Sequence, residues 1–327
     1  MKFLVVGLGS MGKRRIRLIK ENYKDIILIG VDLNSSRCAE IKEVFNLKTY
    51  SSLDEAINEE NPDAAFICTS PIYHGKIILN CLKKNINVFT EINLIADNYD
   101  EIIDIAKVKN LKLFLSSTFL YRNEIKYIIE KVQNSKGKFA YTYHVGQYLP
   151  DWHPWESYEN FFVSDKRTNG CRELMAIELP WIVKAFGNIK NVQVIKNNIT
   201  NLKLDYFDNY MIILEHENGN VGSLNVDIAS RKAIRSLEVY NEELHIRWEG
   251  TPETLYAYNF DNKDFETINT YELIVRNNKY VNNIIENAYL SEISTFISYI
   301  QGDENNTIHT FEDDYKIIKV IDLIEGM

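Results

Sequence analysis

The chain has 327 residues, long for a single hydrophobic core, which favours two domains or one large α/β unit. With 45% hydrophobic and 25% charged residues, and only 14 Gly and 6 Pro, the composition excludes a disordered or collagen-like chain. The 46 acidic against 37 basic side chains give a net charge of −9, which argues against a nucleic-acid backbone as partner.

The first third alternates short apolar bursts with segments of helical period, the pattern of βαβ units around a mainly parallel sheet. Strands are predicted at Lys2–Val6, Ile26–Asp32, Lys48–Tyr50, Ala64–Cys68, Asn87–Thr90 and Lys112–Ser116. Between them fall helices at Met11–Asn22, Ser35–Phe45, Leu53–Glu60, Tyr73–Lys84 and Asn98–Lys109. After about residue 120 the rhythm changes to longer alternating runs, at Phe139–Val145, Val192–Asn197, Tyr210–Glu217, Val221–Ile228, Ser236–Tyr240 and Glu243–Glu249. The turn signal Glu217-Asn218-Gly219-Asn220 joins two of them as a hairpin, so this second sheet reads as largely antiparallel. Helices are predicted at Arg172–Phe186, with Pro180 as a local weakness, and at Tyr289–Ile300 and Glu312–Ile324. The expected division is therefore a doubly wound parallel domain over 1–119 and an α/β domain with a large open sheet over 120–327.

Gly7-Leu8-Gly9-Ser10-Met11-Gly12 follows an apolar strand and opens a helix. Its glycines permit a tight turn, and its backbone N–H groups can approach a pyrophosphate at the helix N-terminus. Asp32 closes the second strand about 20 residues further on, where a carboxylate binds the adenosine ribose hydroxyls and repels a 2′-phosphate. Gly7, Gly9, Ser10, Met11, Gly12 and Asp32 are thus the expected cofactor residues, and NAD is the expected cofactor. Arg37 keeps NADP open.

With these marks the chain resembles the Gfo/Idh/MocA family of oxidoreductases over nearly its whole length. The resemblance is carried by Gly7–Gly12 with the following Lys-Arg-Arg, by Cys68-Thr69-Ser70-Pro71-Ile72-Tyr73-His74, by Asn87-Val88-Phe89-Thr90-Glu91, and by Gly219–Ser230 followed by Arg231. It implies a Rossmann domain and a second α/β domain whose open sheet packs against another subunit, as a homodimer or homotetramer. It also implies a nicotinamide at the cleft and a sugar, cyclitol or sugar-nucleotide substrate. It places Thr69, Ser70, His74, Glu91 and Asn93 near the cofactor. The family's fifth strand ends in Glu-Lys-Pro, its lysine polarising the reacting hydroxyl; this chain reads Glu91-Ile92-Asn93. Where the family has Asp and His on a helix of the second domain, alignment puts Leu174 and Ile177.

Oxidation of a secondary alcohol still needs a base for the hydroxyl proton. On a helix turning 100° per residue, Glu173 and Glu178 lie roughly 70° to either side of the Leu174–Ile177 face, so each borders the expected pocket. Both are also readable as solvated or ion-paired helix residues. His153 is a third acid/base candidate. It sits in the aromatic run Gly146-Gln147-Tyr148-Leu149-Pro150-Asp151-Trp152-His153-Pro154-Trp155-Glu156-Ser157-Tyr158, whose rings face a substrate or cofactor, a subunit or the local core. Gln147, Trp152, Lys166, Arg167 and Arg172 complete the substrate candidates; the three basic ones suit a phosphate, a diphosphate or a carboxylate, or form a solvated cluster.

Cys38, Cys68, Cys81 and Cys171 are scattered and form no C-x-x-C pair, which fits a reducing cytoplasm. The apolar start runs into Lys13, Arg14, Arg15 and Arg17, the reverse of a secretory signal, and no run approaches the roughly 18 apolar residues of a membrane helix. No His, Cys or Asp grouping has metal-ligand spacing, so no metal is expected. The sequence thus reads as an NAD(P)-dependent oxidoreductase of carbohydrates or nucleotide-linked sugars. The alternatives are a dinucleotide-binding protein without redox activity and a sugar-modifying enzyme that uses bound NAD without net redox.

Overall fold

In a computed structural model the chain forms two compact units, one of residues 1–117 with 289–315 and the other of 118–288 with 316–327. Residues 1–153, 156–277, 284–302 and 308–326 are described. In chain order the first elements are β1 (Lys2–Val6), α1 (Ser10–Asn22), β2 (Ile27–Val31), α2 (Ser35–Phe45), β3 (Lys48–Tyr50) and α3 (Leu53–Glu60). Then come β4 (Ala64–Ile67), α4 (His74–Lys83), β5 (Asn87–Thr90), α5 (Tyr99–Lys109) and β6 (Leu113–Leu115). The second unit adds α6 (Asn123–Asn134), β7 (Ala140–Gly146), α7 (Gly170–Phe186), β8 (Ile189–Asn197), β9 (Asn209–His216) and β10 (Val221–Asp227). It continues with β11 (Ile234–Tyr240), β12 (His245–Trp248), β13 (Leu255–Asn259) and β14 (Asp264–Thr267), before α8 (Glu286–Ile300) and α9 (Phe311–Glu325).

In the first unit the sheet order is β3-β2-β1-β4-β5-β6, all in parallel. The central strands are apolar without alternation because both faces are covered: Phe3, Leu4 and Val5 of β1 and all of β4 are buried. The order reverses between β1 and β4, so the crevice beyond their carboxyl ends is the topological switch point, where open α/β sheets bind ligands.

Residues 289–315 correct the expected boundaries, which gave everything after 119 to the second domain. Phe296 of α8 is fully buried, with its ring 6.4, 5.3, 5.5 and 5.7 Å from those of Phe3, Phe66, Phe89 and Phe114. The helix returns because four adjacent strands present aromatic rings that it covers. Helical period alone does not tell which sheet a helix will cover.

The second unit's sheet runs β14-β13-β12-β11-β7-β10-β9-β8, with β7 and β10 parallel and the other pairs antiparallel. The predicted hairpin joins β9 to β10, with Gly219 at φ +87°. Tyr141, Tyr143 and Val145 alternate inward from β7 and pack under α7: Phe186 stacks on Tyr141 at 4.1 Å, and Trp181 meets Tyr143 edge-on at 5.3 Å. The opposite face carries Ile195, Met211, Ile213 and Val221, all exposed. Helix α7 is continuous through Pro180. Three elements escaped the sequence reading. Helix α6 starts after Arg122, which gives no side-chain cap, and β13 and β14 are short.

Candidate active site

In the first unit, β1 and α1 are separated only by residues 7–9. Gly7 has φ +94°, and a Cβ there would stand 2.6 Å from Cys68 O. A Cβ on Gly12 would stand 2.0 Å from Gly7 O, so both glycines are required by the protein's own packing. Gly9 differs. A Cβ there would meet nothing within 4 Å, so its bareness leaves open space beside the turn. Helix α1 begins without a side-chain cap and with no acid in its first turn, so its N–H groups and dipole are left for an anion. Asp32 follows β2; its Oδ2 accepts the Leu8 N–H at 2.7 Å, and its Oδ1 accepts the Asn34 N–H at 2.8 Å. Arg37 leans on Asp32 at 3.6 Å. Ser10 is exposed and Met11 half-buried at the start of α1. The empty space, the uncapped amides and the carboxylate fit a pyrophosphate and an unphosphorylated ribose.

Three residues expected at the cofactor have side chains engaged elsewhere. Glu91 receives Arg15 Nε at 2.6 Å and Nη2 at 3.2 Å. Arg15, wholly buried, also donates to Glu292 at 2.7 Å and to Ser116 at 3.2 Å. Burial pushes the Glu292 carboxyl up, and Ser116 Oγ and the Ser117 N–H donate to its Oε1 at 2.9 and 2.8 Å. Glu91 therefore anchors the end of β5 instead of offering its carboxylate to a ligand. His74 and Asn93 are buried and bonded to each other at 2.8 Å. Thr69 and Ser70, half-buried after β4, remain at the switch point.

In the second unit α7 separates the two glutamates. Glu178 is fully buried and accepts from Tyr143 OH at 2.8 Å, Trp181 Nε1 at 2.7 Å and Arg235 Nε at 2.8 Å. It forms a structural ion pair with both oxygens engaged inside the second unit, which argues against its candidacy as a base. Glu173 has the opposite environment. Its side chain is partly open, yet its Oε2 is buried and has no hydrogen-bond partner, and burial pushes its carboxyl up to about 7.

Arg172 is likewise corrected as a substrate contact. It is buried and paired with Asp322 at 2.5 Å and with Glu325, both on α9. Asn169 caps α7 by accepting the Arg172 N–H at 2.8 Å, and donates to Glu325 at 2.6 Å. Lys166 and Arg167 are exposed on the short turn before this cap. Trp152 is half-buried; its indole N–H donates to Gln147 O at 3.0 Å. His153 pairs with Glu156 at 3.1 Å and packs against Phe161 at 4.5 Å. Pro154 and Trp155 of the aromatic run lie outside the described residues.

A model of the Gfo/Idh/MocA family, described as an oxidoreductase family with an NAD-binding Rossmann fold, matches residues 1–116. A myo-inositol 2-dehydrogenase of Thermotoga maritima is 30% identical over 141 residues, which span 41% of this chain and 41% of the relative. Among solved structures, GenD2 from gentamicin A biosynthesis in complex with NAD is similar with a TM-score of 0.79 at 16% identity, over 98% of this chain and 92% of that one. The UDP-N-acetylglucosamine 3-dehydrogenase GnnA of Acidithiobacillus ferrooxidans gives 0.78 at 14% identity, over 100% and 97%. The WlbA dehydrogenase of Bordetella pertussis, solved with NADH and UDP-GlcNAcA, gives 0.78 at 14% identity, over 99% and 95%. At such identity these likenesses show the fold.

The glycine-rich turn and Asp32 both lie within the matched residues 1–116. Ile92, at the position where the resemblance leads one to expect a lysine, is half-buried and has no proton to exchange. The described residues contain no group of three or more His, Cys, Asp or Glu placed to hold a metal, and no helix long and apolar enough to cross a membrane. Two sets of polar residues went unread in the sequence, Tyr99 with Asp314, and His144 with Asp227, because each partner lies far along the chain. No local spacing signals such pairs.

Proposed function

We propose that the chain is an NAD-dependent oxidoreductase acting on a hydroxyl group of a carbohydrate, cyclitol or nucleotide-linked sugar, with Glu173 taking and returning the hydroxyl proton. The observation that carries this reading is the buried, unpartnered Oε2 of Glu173, in a carboxyl pushed up to about 7. A general base works best when its pKa lies near the operating pH, and an oxygen without a protein partner is free to bond a substrate hydroxyl. Glu178, held by three donors within the second unit, fits that role less well.

The amides of the glycine-rich turn would hold the pyrophosphate and Asp32 the adenosine ribose. Bound nicotinamide supplies the two-electron chemistry. Gln147, Trp152, Lys166 and Arg167 are assigned to the substrate, the two cations suiting a phosphate or diphosphate. Sugar nucleotides are favoured because of two proteins of similar fold, WlbA, solved with UDP-GlcNAcA, and the UDP-N-acetylglucosamine 3-dehydrogenase GnnA. The apolar exposed face with Ile195, Met211, Ile213 and Val221 is assigned to a second copy of the chain.

The test is NAD reduction by the purified protein with a panel of free sugars, cyclitols and sugar nucleotides, beside NAD binding measured separately. Turnover is expected with at least one sugar nucleotide, and kcat/KM for oxidation should rise with pH to a plateau above about 7. NAD binding without turnover on any compound would sink the reading and favour a non-redox dinucleotide-binding protein, for which Ile92 in place of lysine is the supporting observation.

A further inference from the structure

His74 opens α4 and has both ring nitrogens engaged. Nε2 lies 2.9 Å from the Thr69 carbonyl oxygen, and Nδ1 lies 2.8 Å from Asn93 Oδ1 and 3.3 Å from Thr90 Oγ1. The Asn93 side-chain amide is 2.7 Å from Tyr99 OH, and Tyr99 OH donates to Asp314 Oδ2 at 2.5 Å. All four residues, His74, Asn93, Tyr99 and Asp314, are at most 2% exposed, so water does not replace a lost bond. Burial beside Asp314 pushes the Tyr99 hydroxyl up, which keeps it protonated as a donor. Near the far end, His309 lies 3.4 Å from Asp314 Oδ1.

The near end of this chain of bonds is the Thr69 carbonyl, one peptide beyond the Cys68–Thr69 peptide that backs the glycine-rich turn. Cys68 O and Thr69 N stand 2.6 and 2.8 Å from where a Cβ on Gly7 would be. The adenosine half of the dinucleotide is directed towards β2 by Asp32, so the other half leads over the end of β4, across the switch point. Thr69 and Ser70 form that end.

We propose that Asn93, Tyr99 and Asp314 are positioning residues for the cofactor, fixing through His74 the Thr69–Ser70 turn that receives the nicotinamide half of NAD. The proposal rests on dinucleotide binding by the first unit and is independent of the chemistry assigned to Glu173. It gives Asn93, which stands where the family has proline, a task of its own in this chain.

Tyr99→Phe removes only the hydroxyl and keeps the ring against Phe311 and Tyr315, whose centroids lie at 5.0 and 5.8 Å. The expected result, by calorimetry on the full chain, is a Kd for NAD about ten-fold weaker and a Kd for ADP changed by less than about two-fold, since ADP uses only the glycine turn and Asp32. Asp314→Ala should repeat the split, and Asp314→Asn, which retains an acceptor oxygen for Tyr99, should recover most of the NAD affinity. Equal weakening of NAD and ADP would mean a merely structural role and overturn the proposal, as would unchanged NAD affinity in both breaking variants. Should Tyr99→Phe fail to fold, the Ala and Asn variants of Asp314 carry the same comparison. Wild-type protein that binds neither NAD nor ADP would instead overturn the dinucleotide reading itself.

Discussion

The glycine-rich turn and the first turns of α7 are both places where a ligand is expected, and they are built in opposite ways. The turn is defined by missing side chains: Gly7 and Gly12 are bare because backbone fills their Cβ positions, and Gly9 is bare although nothing does. Helix α7 is crowded with charge, yet Arg172 and Glu178 are satisfied within the second unit, and only Glu173 keeps a buried oxygen without a partner. A binding surface made of backbone is therefore specified locally. One made of side chains depends on which of them the rest of the unit leaves unsatisfied.

The contrast between the two glutamates gives the largest expected effects. Glu173→Gln should lower kcat by roughly 10²–10⁴-fold, the range for a lost general base, with the NAD dissociation constant unchanged. Near-normal turnover would remove Glu173 from the chemistry. Glu178→Gln should act in the opposite sense: it removes the charge facing Arg235, and a broken buried pair costs about 3–5 kcal/mol, read as a lower denaturation midpoint. If Glu178→Gln abolished turnover at full stability, the roles of the two carboxylates would have to be exchanged.

Gly9→Ala tests the other side of the comparison. The added methyl meets no protein atom, so stability should change by less than about 0.5 kcal/mol. It occupies the space beside the amides, so NAD affinity should fall about ten-fold, or about 1.4 kcal/mol. Undiminished NAD binding would show that the pyrophosphate does not approach at Gly9.

Gly7–Gly12 and Asp32 were legible in the sequence because strand, turn, helix and acid are set by neighbours within one βαβ unit. The sheets were legible from apolar periodicity except for β13 and β14, and the hairpin from Asn218-Gly219. The fate of Glu178 was not, because Tyr143 and Arg235 come from other strands and lie 35 and 57 residues away. Nor was that of Arg172, whose partners arrive 150 and 153 residues later on α9. Helical geometry placed Glu173 and Glu178 symmetrically about one face, and only the packing of that face made them different. His74 and Asn93 were placed near the cofactor by resemblance, but their side chains are turned into a buried polar chain that ends 215 residues beyond Tyr99.

The smallest effect is the most direct measure of how Glu173 differs from a surface carboxylate. Its folded pKa, about 7, lies above the ordinary glutamate value of roughly 4.3, so the fold favours the protonated form. The associated stability is fully present below the unfolded pKa and is lost as pH rises through about 7, since the native state binds the extra proton between those values. Unscreened, the linkage would amount to about 3 kcal/mol; the partly open side chain is screened by solvent, which reduces the expectation to about 1 kcal/mol. The measurement is chemical denaturation of wild type and Glu173→Gln at pH 5 and pH 8. Other titrating groups act alike in both proteins and cancel in the double difference, leaving wild type about 1 kcal/mol more pH-sensitive than the variant. A double difference of zero would mean that Glu173 ionises as freely as a solvated carboxylate, and the physical distinction drawn between it and its neighbours on α7 would disappear.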